Sequence, residues 1–342
     1  MKLVNLEQLF FPVGLHEAYW DKEEWEAGRI DVDEQTLFHD PNRSFNVSKS
    51  YRHLAVVDEA NQYVFAYVTK TDYHLITNKD VYEFGLSLVR FIFFPFDGNV
   101  SCFGRLSESR GTAEISYVDN RKVYHPEFLG GWRAIITVKN SYNKSCGFSA
   151  TIGFLNESYN VEWRIKELEI IKAKTFHAVS SDELLKAIKS SDPVKEIRRN
   201  GIESVLQEYL DKLRNIRFAN RWLVYLLVKF FRICGPDGTI LIKDLNYIIG
   251  VLKKHNFSDY VSGEDLLGIL METTVGYPGK LSSDMNFSGN PDALGDLMKD
   301  IENHNLDEGN VQGYVGKSII RAVDELLNDN MDSDGFIEMM PA

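Results

Sequence analysis

The apolar residues of this chain change their spacing near residue 180, and this change constrains the fold more than any other feature. Across 51–178 they alternate with polar residues in short runs rich in Val, Tyr, Phe and Thr, which is the period of half-buried β-strands. After residue 180 they recur at the spacing of amphipathic helices. The chain has 342 residues, enough for two domains. We therefore predict an α+β protein with an irregular N-terminal segment at 1–50, a sheet-rich domain at 51–180 and a helical domain at 181–342.

Turn-prone segments divide the sheet-rich part into hairpins. "DEAN" at Asp58–Asn61, "SESRG" at 107–111 and "NSYNKS" at Asn140–Ser145 each separate two alternating runs. One helix interrupts the strands, with Asn78 as its expected N-cap. Its apolar positions at helical spacing are Val81, Phe84, Leu88 and Phe91. We expect an antiparallel or mixed sheet of about five to seven strands with this helix packed on it.

Charge is spread unevenly along the chain. The net charge is −12, yet residues 164–232 carry 15 Lys and Arg against 9 Asp and Glu, and residues 233–342 carry 7 against 19. Overall acidity opposes non-specific binding to nucleic acid, but a local basic patch can still form. Within Lys195–Arg221 the acidic residues interleave with the basic ones at helical spacing, which favours intrahelical ion pairs over a continuous phosphate track. Arg198 and Arg199 are the candidate phosphate contacts in this block.

Several motifs of the sheet-rich part resemble those of a known family. The residues that carry the likeness are Tyr73, Asn78 and Tyr82, the tip Asn140–Ser145, Gly153 and, more loosely, His177 in "TFHAVSSDELL". Over roughly residues 50–190 the chain resembles the bacterial, phage and plasmid proteins grouped as domain of unknown function 932. The resemblance implies an accessory protein of a phage or other mobile element, acting in the cytoplasm of a bacterial host.

The chain departs from the family pattern at two places. The tip reads Asn143-Lys144 where the family prefers Asp-Gly, and "NESYNVEWRIK" at 156–166 replaces a family segment that contains a Cys and an Asn-Gly pair. The family has no established activity, so the resemblance implies a fold and a biological context, and it implies no reaction.

The hairpin tip has two interpretations. In the first, its Asn and Ser side chains bond neighbouring backbone groups and Tyr142 folds back onto the sheet. In the second, the tip is an exposed contact loop where Asn140, Tyr142 and Lys144 bind a partner. A stacking Tyr beside a Lys suits either a nucleic-acid or a protein contact.

The C-terminal tail contains part of a calcium-loop pattern. Asn330, Asp332 and Asp334 lie two positions apart and precede Gly335, as the first ligands of an EF-hand loop do. Position 12, which should supply a bidentate Glu, is Pro341. Calcium binding at this tail is thus one interpretation and an acidic, frayed chain end is the other. We expect no other cofactor.

The cysteines and the apolar runs argue against a disulfide-bonded secreted protein and against a membrane-spanning one, and three hypotheses remain. Three isolated cysteines favour a reducing compartment, and no apolar run approaches the ~20 residues that span a membrane. The first hypothesis is a non-enzymatic accessory protein that binds a host or phage protein, or DNA. The alternatives are a single-stranded nucleic-acid-binding or annealing module, and an enzyme of unrecognised class.

Overall fold

The structure is a computed structural model, and it describes most of the chain. The described residues are 1–21, 47–70, 73–93, 97–125, 130–143, 148–173, 186, 188–231, 233–234, 239–255, 259–276 and 308–329.

Strands dominate the first half of these residues and helices the second. The strands are β1 (Lys2–Val4), β2 (Val13–Asp21), β3 (Val47–Asp58), β4 (Tyr63–Thr69), β5 (Val100–Leu106), β6 (Thr112–Asp119), β7 (Trp132–Ser141), β8 (Phe148–Asn156), β9 (Val161–Ala173), β10 (Arg217–Ala219) and β11 (Tyr260–Ser262). The helices are α1 (Leu6–Leu9), α2 (Asn78–Ile92), α3 (Asp192–Asn200), α4 (Ile202–Asn215), α5 (Leu223–Phe230), α6 (Ile242–Leu252), α7 (Gly263–Gly276), α8 (Glu308–Val315) and α9 (Lys317–Asp329).

The strands form three sheets. A six-stranded sheet has the order β1-β5-β6-β7-β8-β9, a three-stranded sheet has the order β2-β3-β4, and β10 pairs with β11. The pairings β1–β5, β5–β6, β6–β7, β2–β3 and β3–β4 are antiparallel. The three predicted turn segments join β3 to β4, β5 to β6 and β7 to β8. The predicted α+β class, with a sheet-rich first half and a helical second half, is confirmed.

The chain divides into two compact units, each built from three segments. Unit 1 comprises Met1–Arg121, Ile135–Ile152 and Glu167–Arg199. Unit 2 comprises Lys122–Ala134, Gly153–Lys166 and Asn200–Ala342. The domain boundary predicted near residue 180 falls within 174–185, outside the described residues, and it stays a prediction.

The expectation of an irregular segment at 1–50 is wrong for residues 1–21. β1 pairs with β5, with Lys2 opposite Leu106, and β2 pairs along most of its length with β3. Leu9 of α1 is fully buried, and Val13 packs in an apolar cluster with residues of β3 and β4. β1 and α1 are short, and β1 and β2 depend on partners much later in the chain, so local periodicity gives little sign of these elements.

Helix α2 begins one residue earlier than predicted, with Thr77 as its N-cap. The Thr77 hydroxyl accepts the Asp80 N–H at 3.2 Å, and the Asp80 carboxylate accepts the Thr77 N–H at 2.8 Å. These two bonds form a capping box, which gives an acceptor to two backbone N–H groups that have none within the helix. Asn78 is instead the first helical residue, and its side chain is buried.

The apolar face of α2 packs on β6 of unit 1. At Gly85 a Cβ atom would lie 2.3 Å from the Tyr117 hydroxyl oxygen, so only glycine permits this approach of helix to sheet. The Tyr117 hydroxyl donates to the Tyr82 carbonyl at 2.8 Å. Val81, Phe84 and Leu88 are buried as predicted, whereas Phe91 at the same helical spacing is only half-buried.

The helical part of unit 2 contains two helix–strand–helix modules. α4, β10 and α5 form the first module, α6, β11 and α7 form the second, and β10 pairs with β11. The Arg214 guanidinium of α4 holds the Glu264 carboxylate of α7 at 2.9 and 3.2 Å. Ser262 and Asp265 cap the start of α7 reciprocally. Among the described residues, no helix is long and apolar enough to cross a membrane.

Candidate nucleic-acid interface

The hairpin tip does not present its Asn and Tyr to a partner. Asn140 is 1% exposed and Tyr142 is 2% exposed. The Tyr142 ring stacks on Phe65 of β4 at a centroid distance of 5.4 Å and meets the edge of Phe11 at 6.0 Å. The interpretation in which Tyr142 folds back onto the structure is therefore confirmed, and an exposed contact loop made of Asn140 and Tyr142 is excluded by their burial. Lys144, the third residue of that loop, lies outside the described residues.

Asn140 and Tyr142 hold the start of α2 through hydrogen bonds. The Tyr142 hydroxyl accepts the Asn78 N–H at 2.7 Å, and the Asn140 amide donates to the Asn78 side-chain oxygen at 3.0 Å. The Asn78 amide in turn donates to the Leu9 carbonyl at 2.9 Å. Three residues that carry the family resemblance thus form one buried network in unit 1.

The groups of this network have a structural role. Burial raises the pKa of Tyr142 well above its ordinary value, so the hydroxyl stays neutral and acts as a hydrogen-bond acceptor. Arg110 lies over the Phe11 ring at 4.0 Å, and its Nε is 3.4 Å from the buried Asp58 carboxylate. The Tyr142 hydroxyl and the Arg110, Phe11 and Asp58 side chains thus contact other groups of the same unit. These contacts favour a role in positioning α2 and the hairpins.

A second group of charged residues lies buried on the six-stranded sheet. Glu114 of β6 is 3% exposed and lies between Arg105, at 3.5 Å, and Lys139, at 3.6 Å. Beside it, the hydroxyls of Ser116 and Thr137 are 2.8 Å apart. The burial of Glu114, Arg105 and the two hydroxyls between adjacent strands indicates a polar network that stabilises the sheet.

Arg198 and Arg199 are exposed on helix α3. The segment 186–199 is amphipathic: Ile188, Val194 and Ile197 are buried, and the charged residues are exposed. Five Lys and Arg stand against Asp192 and Glu196 in this segment, a net charge of +3. The cations are Lys186, Lys189, Lys195, Arg198 and Arg199.

Phe91 of α2 lies among these cations. The Arg198 guanidinium carbon is 4.4 Å from the centroid of the Phe91 ring, and the Lys189 ammonium is 5.4 Å from it. Both distances lie within the range of cation–π attraction. We call the five cations of 186–199 together with Phe91 the basic face; all of it belongs to unit 1.

Most cations of the basic face have no carboxylate partner among the residues that the structure describes. Lys195 is the exception on this face, because it pairs with Asp192 at 3.4 Å. The predicted intrahelical ion pairs are present further along the block, where Lys212 pairs with Glu208 at 3.0 Å and Arg214 with Asp211 at 3.3 Å. Within the described part of the chain, no Asp or Glu oxygen lies within 4 Å of Lys186, Lys189, Arg198 or Arg199. Their charge is therefore available to an external anion.

The calcium ligands predicted from the sequence belong to the C-terminal tail. Asn330, Asp332 and Asp334 lie outside the described residues. Among the residues that are described, no group of three or more His, Cys, Asp or Glu side chains could hold a metal ion.

Sequence reasoning found Arg198 and Arg199 but missed Phe91 and Lys189. Phe91 falls on the same helical spacing as the buried residues of α2, so periodicity assigns it to the core. Its position beneath Arg198 and Lys189 depends on α3 and the residues just before it, which follow much later in the chain.

Comparisons with protein-family models, with curated proteins and with solved structures found no match for this chain.

Proposed function

We propose that this chain is a non-enzymatic accessory protein of a phage or other mobile element, and that it binds nucleic acid through the basic face. The observation that carries the proposal is a set of four exposed cations that have no carboxylate partner among the described residues, two of which, Lys189 and Arg198, lie over the Phe91 ring. The resemblance to the phage and plasmid family supports the biological context.

The charges predict the strength and the salt dependence of binding. Each phosphate neutralised by a Lys or Arg releases counterions, and the logarithm of the binding constant falls by about 0.7 per contact for each tenfold rise in salt on single strands. Five cations therefore limit the slope to about −3.5. Because the chain as a whole carries −12, binding should be confined to this face and should weaken steeply with salt.

Fluorescence anisotropy with labelled oligonucleotides tests the proposal. The parent protein should bind at 20 mM salt, and the double variant Arg198→Ala/Arg199→Ala should bind more weakly with a slope about 1.4 less steep. The matched control is Lys212→Ala/Lys254→Ala, which removes the same charge from two lysines that pair with Glu208 and Glu272.

Two results count against the proposal. One is the absence of measurable binding by the parent at 20 mM salt. The other is an equal effect of the α3 variant and the control, which would mean that net charge alone governs the affinity.

A further inference from the structure

Phe91 gives the basic face a component that phosphate binding does not require. Phosphate oxygens are bound by cations and hydrogen-bond donors, and an apolar ring adds nothing to that contact. The neighbours Leu88, Ile92 and Phe93 are all buried, yet Phe91 is left half-buried beneath Arg198 and Lys189. The pattern of an aromatic ring flanked by cations is that of surfaces that bind unpaired bases.

Only an unpaired base can use such a ring. In a duplex each base is stacked on both faces and its edges alone are accessible in the grooves. In a single strand the base is free to stack on an aromatic side chain or on an Arg guanidinium plane. The Arg198 guanidinium lies over the Phe91 ring, with its carbon 4.4 Å from the ring centroid, so a base stacks on the ring in place of this exposed, flexible side chain.

The size of the face suits a short stretch of strand. Helix α3 has nine residues and is about 14 Å long, with its inner face anchored by Val194 and Ile197. A surface of this length covers a few nucleotides, so that one stacked base contributes a large share of the affinity.

We infer that the basic face takes single-stranded nucleic acid in preference to duplex, with one base stacked on Phe91. This inference rests on the proposed function and adds the class of nucleic acid and the residue that selects it.

Anisotropy with three probes of equal length tests the inference: a single strand, its duplex, and a strand in which the central nucleotides are abasic. The abasic strand keeps the phosphates and lacks the bases. The parent should bind the single strand about 5- to 150-fold more tightly than the abasic strand, the range for one stacked base. Phe91→Leu keeps an apolar side chain but removes the ring, so it should bind the single strand and the abasic strand with equal affinity.

Phe91→Tyr is the conservative control, and it should retain the parent's preference because it retains the ring. Equal melting temperatures of the Leu and Tyr variants establish that a difference in binding does not come from unfolding. If the parent binds strand, duplex and abasic strand equally and Phe91→Leu changes nothing, the inference is overturned and the proposed function stands. If no probe binds at 20 mM salt, both are overturned.

Discussion

Replacing Tyr142 by Phe tests whether the hairpin tip fixes the start of helix α2. The change removes one oxygen atom, the acceptor of the Asn78 N–H at 2.7 Å, and leaves the ring in place on Phe65 and Phe11. Because the ring keeps its packing, no cavity forms. The cost is that of leaving a buried donor without an acceptor, about 1–3 kcal/mol.

Hydrogen exchange read by mass spectrometry measures this cost where it arises. Peptides covering the start of α2 should exchange about 5- to 150-fold faster in Tyr142→Phe, since 1–3 kcal/mol corresponds to that ratio of populations. Peptides from unit 2 should exchange at the parent's rate.

Tyr82→Phe is the matched control, because it removes a hydroxyl from the same helix. The Tyr82 ring stacks near Phe10 and Tyr117, but its hydroxyl makes no hydrogen bond with the residues that the structure describes. Its exchange should change by less than about threefold, as for a substitution away from any buried hydrogen bond. Equal exchange rates for the two variants at the start of α2 would refute the reasoning, since they would show that the Tyr142 hydroxyl contributes no more than an unbonded one.

Three further experiments test other parts of the fold. Gly153→Ala places a Cβ 2.4 Å from the Trp163 carbonyl oxygen and should lower the free energy of unfolding by about 1–3 kcal/mol. Gly250→Ala, whose Cβ would have nothing within 4 Å, should raise the free energy of unfolding by about 0.5–1 kcal/mol. Urea titrations in which Gly153→Ala is the more stable variant would contradict this reasoning. Glu114→Gln removes the anion from a buried ion pair and should cost about 3 kcal/mol by the same measurement; a loss below about 1 kcal/mol would mean that the cations find other partners. Burial raises the pKa of the Cys102 thiol to about 11, so at pH 8 iodoacetamide should alkylate it about 100-fold more slowly in the folded than in the unfolded protein. Because the unfolded chain releases this proton first, the thiol's contribution to stability is complete below about pH 8.5 and is lost as the pH rises towards 11; equal alkylation rates would rule this out.

The parts of the fold that sequence predicts are those determined by local chemistry. The turn at Asp58–Asn61 is an example: the Asp58 carboxylate accepts the backbone N–H groups of Ala60 and Asn61 at 3.1 and 3.2 Å. All of these atoms belong to residues within three positions of one another, so the letters "DEAN" contain the information. The intrahelical pairs of Lys212 and Arg214 were predictable for the same reason.

The parts that escape prediction are those determined by distant partners. Tyr142 belongs to a polar hairpin tip by composition, and its burial comes from Phe11 and Phe65, which belong to other strands and loops. Phe91 belongs to a helix face that is otherwise core, and its contact with Arg198 comes from α3. In both cases the residue type and its spacing fit two environments equally well, and only the tertiary arrangement chooses between them.

During synthesis on the ribosome, the start of α2 is made well before the residue that anchors it. Leu9, which accepts from Asn78, emerges early, but Tyr142 follows Asn78 by 64 positions. At about 5–20 residues per second, the helix spends roughly 3–13 s without the hydroxyl that receives its first N–H. During the first part of that interval its apolar face also lacks strand β6, which ends at Asp119. A nascent chain paused before β6 is complete would therefore hold α2 as an unanchored amphipathic segment, exposed to chaperones.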